Sequence, residues 1–302
     1  MIDNGAVMGR RGFCGAGLAA ALGLAMNRAA AAGLIPAPVK FGLVSSLFRD
    51  YPAFLVLPVM SPFKAYVEEL MGVKSVLSEG GDALELGRQL KDGEQHLGVF
   101  HGVEFAWAKQ RYPKLEPLFI AVNVDPVLRA HLLVRKAGGF AGIDALKGKG
   151  LRTAARGREH CYLFLERRCT KPGVEPRKYF KITRAGETCE NLDALAAGRT
   201  TAVLSDGVDW EGYQKTSPEN AAKLTSLVSS EPLPCALVAH YGNALDQEML
   251  TAFRVGMQKA HRNPKSKDML GVMRITKFQD VPGNFNEQLV AAAKAYPPPV
   301  KG

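Results

Sequence analysis

The sequence predicts an α/β protein of two lobes, each a mostly parallel sheet flanked by helices, with a cleft between the lobes. Three observations point there. From Val39 onward, short apolar strands alternate with amphipathic helices, the pattern of strands joined by helical crossovers. That pattern occurs twice, on either side of one middle segment. At 302 residues, 47% of them hydrophobic, the chain is long enough to give each lobe its own core.

The first element is expected to be removed. Arg10-Arg11-Gly12-Phe13 precedes an alanine-rich apolar run from Gly15 to Met26, and Ala29 to Ala32 offers small residues for cleavage. Residues 1–32 therefore read as an export signal of the twin-arginine type, with a Sec signal as the alternative, and the mature protein is expected in the periplasm. No other stretch approaches the ~20 apolar residues needed to cross a bilayer.

Lobe 1 is expected over 38–135 plus 233–295. Lys40 to Val44 is its first strand and ends in Ser45-Ser46. Ser61-Pro62 starts a helix whose buried stripe is Phe63, Tyr66, Val67 and Leu70, and Gly72 ends it. Val73 to Leu77 is a strand, Asp82 caps a helix to Lys91, and a strand at Leu97 to Phe100 turns through His101-Gly102 into a third helix. Leu118 to Val122 and His131 to Val134 complete the set. Lobe 2, residues 136–232, has a strand at Leu151, a helix after it, a strand at Tyr179 to Thr183, a helix at Asn191 to Ala197 and a strand from Ala202 closing on Ser205-Asp206. Leu237 to His240 then returns to lobe 1, ahead of a helix from Asp246 to His261. Hinge motion is expected through the strands near His131 to Val134 and Leu237 to His240.

The net charge is +10, but Lys and Arg form no block of five or more, which argues against a nucleic-acid tail. A basic field also draws small anions into a cleft. Four cysteines would survive cleavage: Cys161, Cys169, Cys189 and Cys235. Disulfides are possible in an oxidising compartment, with the pairing open. If Cys161 and Cys169 share a helix, eight steps of about 1.5 Å set them about 12 Å apart, which discounts that pairing. No Cys/His pair has zinc spacing, so no metal is expected, and no cofactor motif is present.

The stretch from Leu151 to Cys169 carries the chemistry. A strand passes through Ala155-Arg156-Gly157 into a helix with Cys161, Phe164, Leu165 and Cys169 on one face. No Ser, Thr, Asp or Asn stands at the cap, and Arg156, Arg158 and His160 crowd the helix start, each opposing the macrodipole by roughly 0.3–1 kcal/mol. A bound anion would relieve both defects. Ligands of open parallel sheets bind beyond the carboxyl ends of the strands. The candidate ligand-binding residues are therefore Ser45, Ser46, His101, Gly102, Glu104, Arg156, Arg158, Glu159, His160, Glu187, Thr188 and Asp206.

An ordered series of segments from about Val39 to Pro282 resembles the periplasmic phosphate, phosphite and phosphonate-binding proteins of ABC transporters. The segments are Phe63 to Val73; Leu90-Lys91-Asp92-Gly93-Glu94 with Leu97 to Gly102; Leu146-Lys147-Gly148-Lys149; and Gly186, Ala194, Leu195, Gly198, Ala202 and Asp206 in register. The resemblance implies the type II periplasmic binding protein fold and a non-enzymatic receptor for a small anionic, phosphate- or phosphonate-like solute. Its implied partner is an ABC transporter permease or a membrane sensor, with the protein itself a monomer. Where the family carries a Ser-Thr-Ser-Gly cradle, this chain has Arg158-Glu159-His160-Cys161, and Gly186-Glu187-Thr188-Cys189 replaces a Gly-Ser-His-Asp turn. Two other readings are an orphan module that binds proteins or senses, and a Cys/His hydrolase using Cys161, His160, Glu159 and Asp206. The apolar helical period turns Cys161 to the core, and no Gly-x-Ser-x-Gly or phosphate loop is present, so no enzyme is expected.

Overall fold

Strands β1 (Val39–Leu43), β2 (Ser75–Glu79), β3 (Leu97–Phe100) and β4 (Leu115–Val122) begin one sheet, and the chain leaves it through β5 (Val127–Leu128). A second sheet takes β6 (Ala130–Arg135), β7 (Gly150–Thr153), β8 (Lys181–Arg184), β9 (Ala202–Asp206) and β10 (Leu224–Ser229). The chain returns through β11 (Leu233–Pro234) to β12 (Leu237–Tyr241) and β13 (Lys277–Gln279). The helices are α1 (Ala53–Met71), α2 (Ala83–Lys91), α3 (Gly102–Arg111), α4 (Glu159–Arg168), α5 (Pro176–Tyr179), α6 (Thr188–Ala196), α7 (Gly207–Thr216), α8 (Pro218–Ala221), α9 (Gln247–Gln258), α10 (Lys267–Met273) and α11 (Phe285–Ala295). This computed structural model describes residues 37–49 and 52–299, so the expected export signal at 1–32 lies outside the described residues.

Most strands of each sheet run the same way, as expected, with antiparallel members inserted among them. The strand orders are β13-β4-β12-β3-β1-β2 and β10-β6-β9-β7-β8. β1 is parallel to β2 and β3, and β7 is parallel to β8 and β9. The antiparallel members follow from the crossings. β12 comes back from the other lobe and inserts between β3 and β4, and β6 inserts likewise between β9 and β10. A strand arriving from the far side runs against its neighbours. Ala130–Arg135, expected in lobe 1, is thus a strand of the second sheet. The crossings themselves are β5 and β11, which pair with each other between the sheets, a few residues before the strands expected to serve as the hinge.

Gly102, the first residue of α3, lies hard against this crossing pair. A Cβ there would sit 2.3 Å from the Pro234 carbonyl oxygen and 2.6 Å from that of Cys235, so only glycine allows the approach.

Helix α1 starts earlier than the Ser-Pro signal predicts and runs through Pro58 and Pro62. Both prolines are exposed, so the carbonyls that lose an N–H partner can reach water, while Val56, Met60, Phe63 and Val67 keep the buried face at spacings of four, three and four. Asp82 caps α2 as expected, accepting from the N–H groups of Leu84 and Glu85.

Alternation along the strands divides the core of the first sheet between its faces. On β4, Phe119 joins Phe41, Phe63, Phe253 and Phe278 on one side, while Ile120 and Val122 join Phe100, Phe105 and Leu115 on the other. Phe253 meets Phe41 and Phe119 edge-on at centroid distances of 5.7 and 5.4 Å. α11 closes the opposite face, with the Trp107 indole donating to the Tyr296 carbonyl at 2.7 Å.

Phe253 is fully buried, so Phe253→Ala is expected to lower stability by about 3–5 kcal/mol in urea unfolding. A loss below 1 kcal/mol would show that the aromatic cluster is not holding this face.

Candidate functional site

Four helices begin where strands end on the facing edges of the two sheets: α3 after β3, α4 after β7, α6 after β8 and α7 after β9. Their first residues supply most of the side chains between the lobes. Asp206, 4% exposed, is the centre. Its Oδ1 accepts the Val208 N–H at 2.7 Å and so caps α7, while Oδ2 lies 3.2 Å from His160 Nε2 and 3.5 Å from Arg158 Nε. Burial opposes the ionised carboxylate, but His160 and Arg158 outweigh it and hold Asp206 below the usual carboxylate range. His160 Nε2 also lies 3.2 Å from the Arg129 carbonyl and 3.5 Å from Cys161 Sγ.

A second charged group lies beside the first. Arg49, at the end of the turn after β1, reaches across to α4 and pairs with Glu159 at 2.6 Å and Glu166 at 3.0 Å. Glu104 on α3 accepts from Ser46 Oγ at 2.6 Å. Burial pushes the Glu104 carboxyl up to about 7. Burial likewise raises Glu159 to about 8, because Arg49 is shared with Glu166 and Glu104 adds repulsion. His101, the N-cap of α3, is driven down to about 4 by burial and by the neighbouring His160.

A second bridge crosses the cleft further out. Arg274, whose φ of 52° is the one positive value among the described non-glycine residues, donates to the Arg156 carbonyl and to Glu187, both at 3.3 Å. Arg158 Nη1 donates back to the Arg274 carbonyl at 3.3 Å. Tyr162 supports the turn, accepting from the Gly157 N–H at 3.2 Å, with the guanidinium groups of Arg49 and Arg184 over its ring at 5.4 and 4.9 Å.

Of the residues the sequence singles out, Ser46, Glu104, Arg158, Glu159, His160 and Asp206 are drawn together, with His101 against His160. Thr188 lies beside them and donates to Asp209 at 2.8 Å. Ser45 is turned away, its hydroxyl donating to the Gly81 carbonyl at 2.7 Å. Arg156 and Glu187 are exposed at the rim, where Arg274 holds them, and Gly102 is occupied by the crossing strand. As the sequence predicts, no side chain caps α4. The four described cysteines are free thiols, with Cys189 exposed and Cys161, Cys169 and Cys235 buried.

Arg49, Thr153, Tyr162 and Arg274 were not singled out. Arg49 follows Ser45-Ser46 on the same strand edge, a signal that would have found it. Arg274 had none, since it sits in a turn after α10, far along the chain.

The space remaining around Thr153, Arg158, Cys161, Thr188, Asp206 and Arg274 is about 20 Å³, room for roughly one water. A larger cavity of about 210 Å³ adjoins it behind Thr153 and Tyr162, lined also by Glu166, Arg177 and Arg184.

Buried four per cent exposed beside a carboxylate, the Cys161 thiol is raised well above its ordinary value by burial and then by Asp206, the reverse of what a thiolate nucleophile needs.

The raised carboxyls set a pH dependence. Glu104 and Glu159 hold more protons folded than unfolded, so they contribute stability at low pH that is lost as pH rises towards about 8, whereas the lowered His101 adds stability only up to about 6.5. Between pH 6.5 and 8 the carboxyls act alone. The thermal midpoint is expected to fall across that interval, and Glu159→Gln is expected to flatten the fall. A midpoint that rises over the interval in the parent protein would contradict the assignment.

The solved structures similar to this chain share its fold. The binding component of a phosphonate ABC transporter from Pseudomonas aeruginosa is 17% identical, with a TM-score of 0.51 over 85% of this chain and 87% of that one. PhnD1 of Prochlorococcus marinus, solved with methylphosphonate, is 14% identical, with a TM-score of 0.53 over 85% and 97%. A Xanthomonas citri protein solved with ATP is 15% identical, with a TM-score of 0.54 over 85% and 96%. Comparison with curated proteins finds no match. The family model described as "ABC transporter, phosphonate, periplasmic substrate-binding protein" matches residues 56–282. With that share of its length matched and the two-sheet fold in place, the chain belongs to the periplasmic substrate-binding proteins of phosphonate ABC transporters.

Proposed function

We propose that the mature protein receives a small oxyanion between its lobes and presents it to a membrane permease. The observation that carries this is a set of three buried polar atoms around one cleft that have no hydrogen-bond partner, His101 Nε2, Thr153 Oγ1 and Glu159 Oε2, beside Arg158 Nε, which faces the Asp206 carboxylate at 3.5 Å. An orphaned buried polar atom costs ~1–3 kcal/mol, so three at one place favour a group that answers them. Arg158 and Thr153 offer donors to an oxyanion at the uncapped start of α4. Glu159 Oε2 offers a further polar contact, a donor while the carboxyl holds its proton and an acceptor once it is ionised. Phosphonates, phosphate and phosphite are the first candidates, since the similar Prochlorococcus protein was solved with methylphosphonate.

Entry requires the lobes to part, because the cleft holds little more than one water. On this proposal the lobes are 38–128 with 233–295 and 130–232, and β5 with β11 is the hinge. Residues 1–32 direct export, by the twin-arginine route in preference to Sec, and the receptor acts as a monomer without enzymatic activity. The arginine bridges across the cleft favour one second reading, an orphan module held closed by its own side chains and read by a membrane sensor.

Unfolding and refolding the mature protein to strip bound solute, then calorimetry against phosphate, phosphite, alkylphosphonates and sulfonates, distinguishes the two. An oxyanion is expected to bind, and Arg158→Ala to weaken it by ~1.5–3 kcal/mol, the scale for a hydrogen bond to a charged group. Silence across the panel would favour the orphan module. Binding unchanged by Arg158→Ala would remove the turn before α4 from the site.

A further inference from the structure

We propose that His160, Cys161 and Asp206 form a binding site for a thiophilic divalent metal ion of the zinc class, with one coordination position left facing the cleft. The site goes beyond the solute-receptor reading and does not depend on it. Imidazole nitrogen, thiol sulfur and carboxylate oxygen all lie within 4.8 Å of one another, and the three residues are buried. Zinc bonds of about 2.0–2.3 Å in a tetrahedral shell put ligand atoms roughly 3.3–3.8 Å apart. The separations from His160 Nε2 are 3.2 Å to Asp206 Oδ2 and 3.5 Å to Cys161 Sγ, so the shell needs only a small inward shift of the thiol and the carboxylate.

Hydrogen bonding leaves this group short of protons. His160 Nε2 faces Asp206 Oδ2, the Arg129 carbonyl and the Cys161 sulfur, and at most one hydrogen at that nitrogen can serve them. An ion seated among the donors interacts with all of them at once. Loss of the thiol proton on binding gives two negative charges, thiolate and carboxylate, which together balance a divalent cation. Arg158 and the helix starts oppose a cation there, and those two charges outweigh them at closer range. The carboxylate is already oriented, with Oδ1 held by the Val208 N–H at 2.7 Å and Oδ2 turned towards His160. Imidazole and thiolate select zinc-like ions over magnesium or calcium.

Cys161 and Asp206 both line the cleft, so the remaining position faces the space where Arg158 and Thr153 lie. Three protein ligands with one open position are the arrangement that lets a bound ion accept an exogenous oxygen. An oxyanion entering the cleft would complete the shell.

The test uses the mature protein dialysed against chelator, then given Zn²⁺ alone, with Co²⁺ as the spectroscopic probe. One zinc per chain retained through gel filtration is expected, with a thiolate-to-cobalt charge-transfer band in the cobalt form. Cys161→Ser is expected to weaken zinc by roughly tenfold or more, while Cys189→Ser, which removes the exposed thiol, leaves it unchanged. Failure to retain zinc, a cobalt spectrum without the sulfur band, or retention undiminished in Cys161→Ser overturns the site. Should Cys161→Ser not fold, the cobalt spectrum of the Cys189→Ser protein decides. Solute binding measured on the metal-free protein is a separate readout, so either reading can fail while the other stands.

Discussion

Asp206 ends β9 as a carboxylate removed from water, and an ion in that position costs several kcal/mol unless charge and hydrogen bonds surround it. The surroundings supply both. A backbone N–H from α7 takes one oxygen, and His160 and Arg158 face the other. That arrangement ties the start of α4 to the start of α7, two helices that follow neighbouring strands of one sheet. It also fixes which residues of the α4 turn look inwards. His160 and Cys161 turn to the carboxylate, and Glu159 is left to find a cation in the other lobe.

Arg49 is that cation, and the consequence is mechanical as well as electrostatic. One guanidinium at the edge of the first sheet holds two carboxylates on a helix of the second. Arg274 does the same at the rim, using a left-handed backbone to bring its side chain over the cleft. Between them they join the lobes by charge, beside an apolar contact in which Leu163 of α4 enters the core of the first sheet. Charged contacts are suited to a surface that parts and closes, because each partner regains water when the lobes separate. The paired short strands β5 and β11 are the covalent route between the lobes, and the glycine contact at Gly102 packs α3 directly on that route.

The cleft differs from a hydroxyl-lined anion cradle in what its walls offer. Two carboxyls with raised affinity for protons, two histidines, a thiol and three arginines face each other across very little space. The arginines suit an oxyanion. The carboxyls suit a further polar group on the same ligand, and the histidine, thiol and Asp206 suit a soft cation.

Much of the architecture was legible along the chain. Strand-helix alternation gave the two sheets, Asp82 announced its helix, and the uncapped, arginine-rich start of α4 was visible as a place that needs a negative partner. These depend on neighbours a few residues away, which a sequence states directly. The early start of α1 was hidden, because proline punctuation says nothing of which side of a helix faces water. The antiparallel insertions of β6 and β12 were hidden too, since strand order depends on where a returning chain finds an edge. So was the company Asp206 keeps. His160 and Cys161 are adjacent in sequence and lack metal spacing, and only the fold brings a carboxylate from 45 residues further on within reach of both. Local periodicity and capping chemistry are written residue by residue, whereas the pairing of buried charges is decided when two sheets close on one another and each ion must find a partner inside.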